Sequence, residues 1–295
     1  MAIRMMDTFS EKDSLFENGS FSMEKWEAYA NSIYENFAEL LKKDMEDCLD
    51  GREYTYEKTV LPVLNAVCGH PALEELHTSF LKVTDGLNDR ITEAFGNGLE
   101  IDIVLYMGLC NGAGWVTNVG GRDTILLGIE KILELGWQDI DSMYGLIYHE
   151  LGHAYHKQHG NFLQTSENSA ENFVWQLFTE GIAMCFEQVL VGDTEYYHQN
   201  RDGWKAWCEE RFRQIITDFQ EDLPGMTRQN QRYFGDWVSY CGRGDVGYYL
   251  GTKFVHRLCE RYRFAELIRL GIEDVYEEYL RFAGQTKCVD RRYYR

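Results

Sequence analysis

Four of the eight histidines lie within fifteen residues, in LIYHELGHAYHKQHG (146–160). His149 and His153 are four residues apart, so on a helix their imidazoles lie on one face and can bind the same metal ion. Glu150 lies one step round the helix, where its carboxylate can accept a proton from water beside that ion. The pattern HExxH therefore predicts a hydrolytic metal centre, with His149 and His153 as ligands and Glu150 as general base.

A third ligand is needed, because catalytic zinc usually has three protein ligands and one position for water. Glu180, in FTEGIAMCFE, follows His153 by 27 residues. That distance lets the first helix end near residue 160 and a second helix return antiparallel to it. The small residues Gly181 and Ala183 would then let the two helices approach closely. Glu187, two turns later on the same helix face, is the competitor of Glu180.

His156 and His159 are the other histidines of this stretch. His156 continues the face of His149, but one straight helix cannot surround an ion with three side chains. His159 holds the last position of the metzincin pattern HExxHxxGxxH, in which a glycine turns the chain back, yet His156 stands at the glycine position. On a straight helix His159 lies about 15 Å along the axis from His149. His159 is thus the alternative to Glu180 only if the chain turns near residue 156.

Several elements must position these residues. LEIDIVLYMG (99–108) is rich in β-branched and aromatic residues, which predicts a strand. Glycine-rich turns follow around short strands at 115–119 and 124–129, so we expect a small antiparallel sheet over about 99–130. Apolar spacing then predicts helices, with Asp139 or Asp141 as the cap of the first. The expected helices are the motif helix at about 141–159, the Glu180 helix at about 171–192, and C-terminal helices at about 204–283.

The first third of the chain shows a different pattern without candidate chemistry. Apolar residues recur at steps of three and four through residues 21–95, which predicts buried helical faces. We therefore expect a predominantly helical α+β protein. Its predicted parts are an N-terminal helical region at 1–98 and a catalytic domain at 99–295.

Composition excludes several classes of partner. The 295 residues carry a formal net charge of −19, which repels nucleic acid and anionic membranes. This charge is typical of a surface that keeps a protein in solution, and a cleft that attracts cationic peptides is the alternative interpretation. The first twenty residues have no apolar core of a signal peptide, and no apolar run is long enough to span a membrane. The eight cysteines include no CxxC pair, which predicts free thiols. A cytoplasmic protein is expected.

Two motifs carry a family resemblance. HExxH followed by a helix with Glu-Gly-hydrophobic-Ala resembles the gluzincin branch of the zincin-like zinc metallopeptidases. GYYLG (247–251) resembles the Gly-Tyr-x-x-Gly segment of uncharacterised bacterial families of zinc-dependent proteases. The motifs cover about 145–185 and 240–260, and the first 95 residues resemble no family that we can name. The resemblance implies a zincin-like domain in which His149, His153 and Glu180 bind Zn²⁺ and Glu150 is the base and later the proton donor.

The resemblance also implies residues that contact the substrate. A tyrosine or histidine on a later helix stabilises the oxyanion in gluzincins; Tyr248 matches that place best, and Tyr249 is its rival. Zincin substrates lie extended beside an edge strand above the HExxH helix, and NGAGWVTNV is the segment that fits this edge. Small residues there favour close approach of a peptide backbone. The predicted substrate-binding residues are Gly112, Ala113, Gly114 and Trp115.

The sequence thus predicts a zinc-dependent peptidase, a hydrolase that acts on a peptide or protein substrate. Two departures leave alternatives open: the 27-residue gap before Glu180 is longer than in the family patterns, and no GAMEN-like segment binds a free amino terminus. The alternatives are a zinc aminopeptidase and a catalytically silent, metal-stabilised binding or regulatory protein. Glu150 favours an enzyme, because a purely structural site needs no base.

Overall fold

A computed structural model of the chain describes residues 2–50, 55–235 and 238–289, without the side chains of 285–289. The predicted domain limits at residues 1 and 295 lie outside this part. The chain divides into two compact units, Met1–Glu150 and Leu151–Arg295. The division lies within the helix that carries HExxH and differs from the predicted boundary after residue 98. The motif helix is described as one element, and the remaining parts of the two units are described separately.

The first unit contains a four-stranded sheet. Its strands have the order β1-β4-β6-β5, and β2 and β3 form a separate two-stranded hairpin. Six strands are present in the described residues: β1 Arg4–Asp7, β2 Phe16–Glu17, β3 Ser20–Phe21, β4 Asp102–Tyr106, β5 Trp115–Val119 and β6 Arg122–Gly128. The predicted strands near 99–108, 115–119 and 124–129 are confirmed.

The prediction of an antiparallel sheet is wrong, because the sheet is mixed. Strand β4 pairs in parallel with both β1 and β6, and only β5 runs antiparallel to its neighbour β6. Gly120 and Gly121, both at positive φ, turn the chain tightly from β5 into β6. The longer loop 107–114 carries the chain past the position of β6, so β5 lies at the edge.

Strand β1 was not predicted, because its four residues, RMMD, are too short to show an alternating pattern. Its ladder partner is β4, and a fully buried carboxylate joins this part of the sheet. Asp102 accepts hydrogen bonds from Arg4, Tyr34 and Arg122. Burial alone would raise the pKa of Asp102, but these hydrogen bonds hold it below its usual value.

Helices precede and follow the main strands along the chain, and the helices predicted within residues 21–95 are present. Asn36, at φ 59°, separates the first two helices. Trp26 and Leu41 on those helices are completely buried. The helices are α1 Met23–Ile33, α2 Phe37–Leu49, α3 Leu61–Val67, α4 Leu73–Thr84, α5 Leu87–Phe95, α6 Ile129–Leu135, α7 Ile140–Tyr144 and α8 Glu150–His159.

The second unit is helical in its described part. Its central helix, α9, is buried along most of its length and crosses α12 at two glycines. A Cβ built on Gly181 would lie 2.3 Å from the carbonyl oxygen of Gly251, so both positions require glycine. The helices are α9 Ser169–Val191, α10 Trp204–Glu210, α11 Phe212–Asp222, α12 Val246–Cys259, α13 Phe264–Leu267 and α14 Ile272–Val289.

These bounds agree with the predicted helices at about 171–192 and 204–283, and the predominantly helical α+β class is confirmed. Among the described residues, none of the helices combines the length and the apolar character needed to cross a membrane.

Candidate metal centre

The motif helix runs without interruption from Ile140 to His159, through α7, a π-helical turn at Gly145–His149, and α8. The carboxylate of Asp139 caps it by accepting the backbone N–H of Ser142 at 2.9 Å. His149 closes the π-helical turn, a feature often found at functional sites. The helix does not turn near His156, so the geometry that His159 would need as a ligand is not formed.

The structure brings together the ligands predicted first. His149, His153 and Glu180 each offer a ligand atom within 4.8 Å of the others. The Nε2 of His153 lies 3.2 Å from Oε2 of Glu180. Two ligands bonded to one tetrahedral zinc at 2.0–2.1 Å lie about 3.3 Å apart, so this spacing fits a shared ion. The side chains of His153 and Glu180 are 20% and 15% exposed, which leaves a side for solvent.

Close contact between the motif helix and α9 explains this spacing. A Cβ built on Gly152 would lie 2.7 Å from the Cα of Ala183, so glycine lets the two backbones touch. Ala183 is the small residue on the α9 side of this contact, whereas Gly181 faces α12.

Glu150, the predicted base, directly follows His149 in the sequence. Its side chain is half-buried. Its carboxylate has no hydrogen-bonding or ion-pair partner among the residues that the structure describes. A carboxylate in this state can accept a proton from water without first breaking an internal contact.

A second His/Glu group shares His149. Glu187 is completely buried, and its two oxygens lie 3.0 and 2.9 Å from Nδ1 of His198. Ligand atoms of His149, Glu187 and His198 also lie within 4.8 Å of one another. Sequence reasoning named Glu187 only as a rival ligand and missed His198, which follows α9 in a loop and repeats no helical spacing. A search for histidines near the end of α9 would have found it.

The two tyrosines have different surroundings. Tyr248 is half-buried, with its ring 6.3 Å from that of His198. Tyr249 is 2% exposed and packs against Tyr197, Trp204 and Phe212, and burial raises its pKa. Tyr248 is therefore the tyrosine beside the second His/Glu group, and Tyr249 has the surroundings of a core residue.

The predicted substrate segment lies along the sheet edge. Trp115 begins β5, and its indole N–H donates to the hydroxyl of Tyr106 at 3.3 Å. Gly114 packs against Leu146 of the π-helical turn, since a Cβ there would lie 2.9 Å from that side chain. The carbonyl of Ala113 accepts the backbone N–H of Gly128. Thus the small residues have a packing role within the chain as well as a place beside the edge.

A buried carboxylate that sequence reasoning missed supports the preceding loop. Glu130 accepts the backbone N–H groups of Gly108 at 2.9 Å and Cys110 at 3.1 Å. Burial raises the pKa of Glu130 to about 7, against the opposing effect of these hydrogen bonds. No sequence pattern marks it, because its partners are backbone groups about twenty residues earlier.

His156 lies in the core, in a cage formed by the rings of Phe162, Trp175 and Phe178. It is completely buried, and among the described residues no group forms a hydrogen bond of good geometry with either ring nitrogen, although the backbone of Ile268 lies close enough to oppose the lowering of its pKa. Burial, and secondarily the nearby His153, lower its pKa to about 3. The imidazole is therefore neutral in the folded protein at ordinary pH, and His156 is a packing residue.

Comparison of the chain with protein-family models, with curated proteins and with solved structures finds no match. A function for the His149, His153 and Glu180 group is therefore argued from the side chains around it.

Proposed function

We propose that the protein is a zinc-dependent peptidase with a zincin-like centre. The observation that carries this proposal is the group of His149, His153 and Glu180 beside a Glu150 carboxylate that has no partner in the described residues. Two imidazoles and a carboxylate form a donor set that zinc prefers in catalytic sites. The partial exposure of two of the ligands leaves room for water and substrate.

Zinc held by these three residues would polarise the scissile carbonyl and lower the pKa of water to about 7. Glu150 takes the proton from the attacking water and returns it to the leaving amine. This role needs a carboxylate that is not held by an internal partner, and Glu150 has none among the described residues.

Tyr248 and His198 stabilise negative charge on the substrate carbonyl oxygen. Their ring centroids lie 6.3 Å apart in an edge-to-face arrangement, and Glu187 accepts or donates a hydrogen bond at Nδ1 of His198. This contact orients the imidazole so that its Nε2 edge points away from Glu187. A phenol and an imidazole N–H aimed at the same developing charge would act as an oxyanion hole.

The substrate lies extended beside β5, the edge strand of the sheet. Gly114, just before this strand, packs against Leu146, three residues before His149 on the motif helix. A peptide paired with β5 would therefore pass close to the motif helix near His149.

Glu150→Gln tests the mechanism. This variant should bind zinc like the wild type but hydrolyse an internally quenched peptide library at least about 100-fold more slowly, because the base is gone. Zinc is measured by elemental analysis after dialysis. Glu167→Gln, at an exposed loop position, is the matched control and should keep full activity.

Undiminished turnover by Glu150→Gln would remove the mechanism. Zinc-loaded wild type without turnover on any library peptide would contradict the peptidase and favour a silent metal-binding protein. Cleavage of peptides with a free amino group but not of amino-blocked ones would identify an aminopeptidase.

A further inference from the structure

A groove of about 570 Å³ runs between helix α2 and the edge strand β5. Both walls belong to the first unit. Residues 115–119 form one wall, and Trp115 and Thr117 lie on one face of this strand. The other wall is the start and the exposed side of α2.

The α2 wall is strongly acidic. It carries the four carboxylates of Glu35, Glu39, Asp44 and Asp47 against one ammonium group, that of Lys43. Glu35, Glu39 and Asp47 form no ion pair or hydrogen bond with any described residue. Three carboxylates that have no counter-charge among the described residues lie in one groove and attract cations, and the net charge of the chain adds to this field.

The strand wall can pair with a peptide backbone. Within residues 2–50, 55–235 and 238–289, β5 pairs with β6 alone, so its outer N–H and C=O groups have no ladder partner. The half-buried indole of Trp115 adds a flat surface on which a cationic side chain can lie.

Asn111 holds the two walls together. Its side-chain amide donates to the carbonyl of Leu41 and to the carboxylate of Asp44, both at 2.8 Å, and its carbonyl accepts the N–H of Leu109. These contacts fix α2 against the loop that leads into β5. The groove is therefore formed before a ligand arrives.

We propose that this groove binds an extended cationic peptide segment. The peptide pairs with β5 as an added strand, and its lysine or arginine side chains lie against Glu35, Glu39 and Asp47. The proposal rests on the proposed function. It assigns to that peptidase a class of substrate, namely peptides with basic residues at alternate positions.

Binding is measured by fluorescence anisotropy with chelator present, so the result does not depend on zinc or on hydrolysis. The probes are dye-labelled octapeptides, blocked at both ends, that alternate Lys with Thr, Glu with Thr, or Lys with Pro. We expect the Lys-Thr peptide to bind at least about tenfold more tightly than the Glu-Thr peptide. The Lys-Pro peptide, which lacks half of the backbone donors, should bind at least about fivefold more weakly than Lys-Thr.

Two variants locate the effect. Glu35→Gln, Glu39→Gln and Asp47→Asn combined should weaken Lys-Thr binding at least about tenfold. The control combines Glu74→Gln, Asp85→Asn and Glu93→Gln, three exposed acids away from the groove, and changes net charge equally. It should alter affinity less than about twofold, since exposed charges beyond a Debye length are screened.

Equal losses in the two variants would overturn the groove and assign binding to the overall charge. Equal affinity for Lys-Thr and Glu-Thr would overturn the cationic preference, and equal affinity for Lys-Thr and Lys-Pro would overturn strand pairing. If the protein hydrolyses the peptide library but shows none of these differences in binding, the proposed function stands and only this inference is overturned.

Discussion

Glu180 and Glu187 lie two turns apart on α9, and their surroundings differ. Glu180 is partly exposed beside His153, whereas Glu187 is completely buried against His198. Both glutamates lie on the same face of the predicted helix, so their spacing alone could not decide which one is the metal ligand. Burial separates their roles: the exposed carboxylate suits a ligand with solvent nearby, and the buried one suits an orienting partner.

We predict that Glu180→Gln weakens zinc binding more than about 100-fold, because a ligand is lost. Glu187→Gln should weaken it by no more than about 10–100-fold, the usual effect of losing a supporting partner. His159→Ala, at a position 15 Å or so along the helix axis from His149, should have no effect. Competition with a fluorescent chelator measures all three affinities.

The reverse order, with Glu187→Gln losing zinc while Glu180→Gln keeps it, would place the ion with His149, Glu187 and His198. The structure offers this group as the second arrangement of donors, so the comparison distinguishes two candidate groups.

At the scale of elements, the contact between the motif helix and α9 determines whether ligands from two helices can meet. Gly152 touches the backbone of Ala183, and this contact lies one residue before His153 and three residues after Glu180. The small residues next to the predicted ligands, in HELGH and TEGIA, thus set how closely the two helices pack. Two helices separated by a larger side chain would carry the same ligands without holding them around one ion.

We predict that Gly152→Ala lowers the free energy of unfolding by about 1–3 kcal/mol, because the new methyl group meets backbone atoms. Alanine's better helix propensity, about 1 kcal/mol, would act in the opposite direction. Zinc affinity should fall as well, since Glu180 moves with α9. Urea denaturation and the chelator titration check the two effects.

Gly284→Ala on α14 is the control, because it is exposed and nothing lies within 4 Å of an added Cβ. It should raise stability by about 0.5–1 kcal/mol. A gain of similar size at Gly152 would show that the two helices do not need their present separation.

The elements that the sequence predicted well are those with long periodic patterns. The motif helix, capped at Asp139, and α9 lie within a few residues of their predicted limits. Strand order was not predictable, because LEIDIVLY and DTILLG are apolar runs whose alternation does not tell a parallel neighbour from an antiparallel one. Loop length and the glycine turn at 120–121 decided that order.

At the scale of the whole molecule, two buried groups respond to pH in opposite directions. His156 has its pKa lowered from 6.5 to about 3, so the unfolded chain binds its proton more readily and stability is lost as pH falls from 6.5 towards 3. Glu130 has its pKa raised from 4.5 to about 7. Its contribution is present below pH 4.5 and is lost as pH rises towards 7.

We predict that His156→Phe removes a penalty in the free energy of unfolding that reaches about 3 kcal/mol at pH 4. Glu130→Gln should remove a penalty of about 3 kcal/mol at pH 7. Urea denaturation with chelator from pH 4 to 8 checks this. His156→Phe should gain stability relative to the wild type below pH 6, and Glu130→Gln should gain above pH 6. Parallel curves for wild type and variants would contradict the assigned groups.

Neither buried group was predictable, and the reason is general to long-range contacts. The sequence excludes His156 as a third ligand on a straight helix but gives it no other place, and aromatic rings from outside the histidine-rich stretch surround it. The sequence identified residues 149, 150 and 153 as candidates for chemistry, which remains a prediction. It did not predict which other histidines and carboxylates the fold would bury.

The open side of β5 has one more consequence. An unpaired strand edge invites the same edge of a second copy, and many proteins protect such edges with charge. A pair of identical copies would bring the carboxylates of two α2 helices together, so the copies repel each other at this edge. An oppositely charged peptide is attracted to the same edge. Concentrated salt weakens that repulsion, and at high salt self-association along this strand edge becomes the competing outcome.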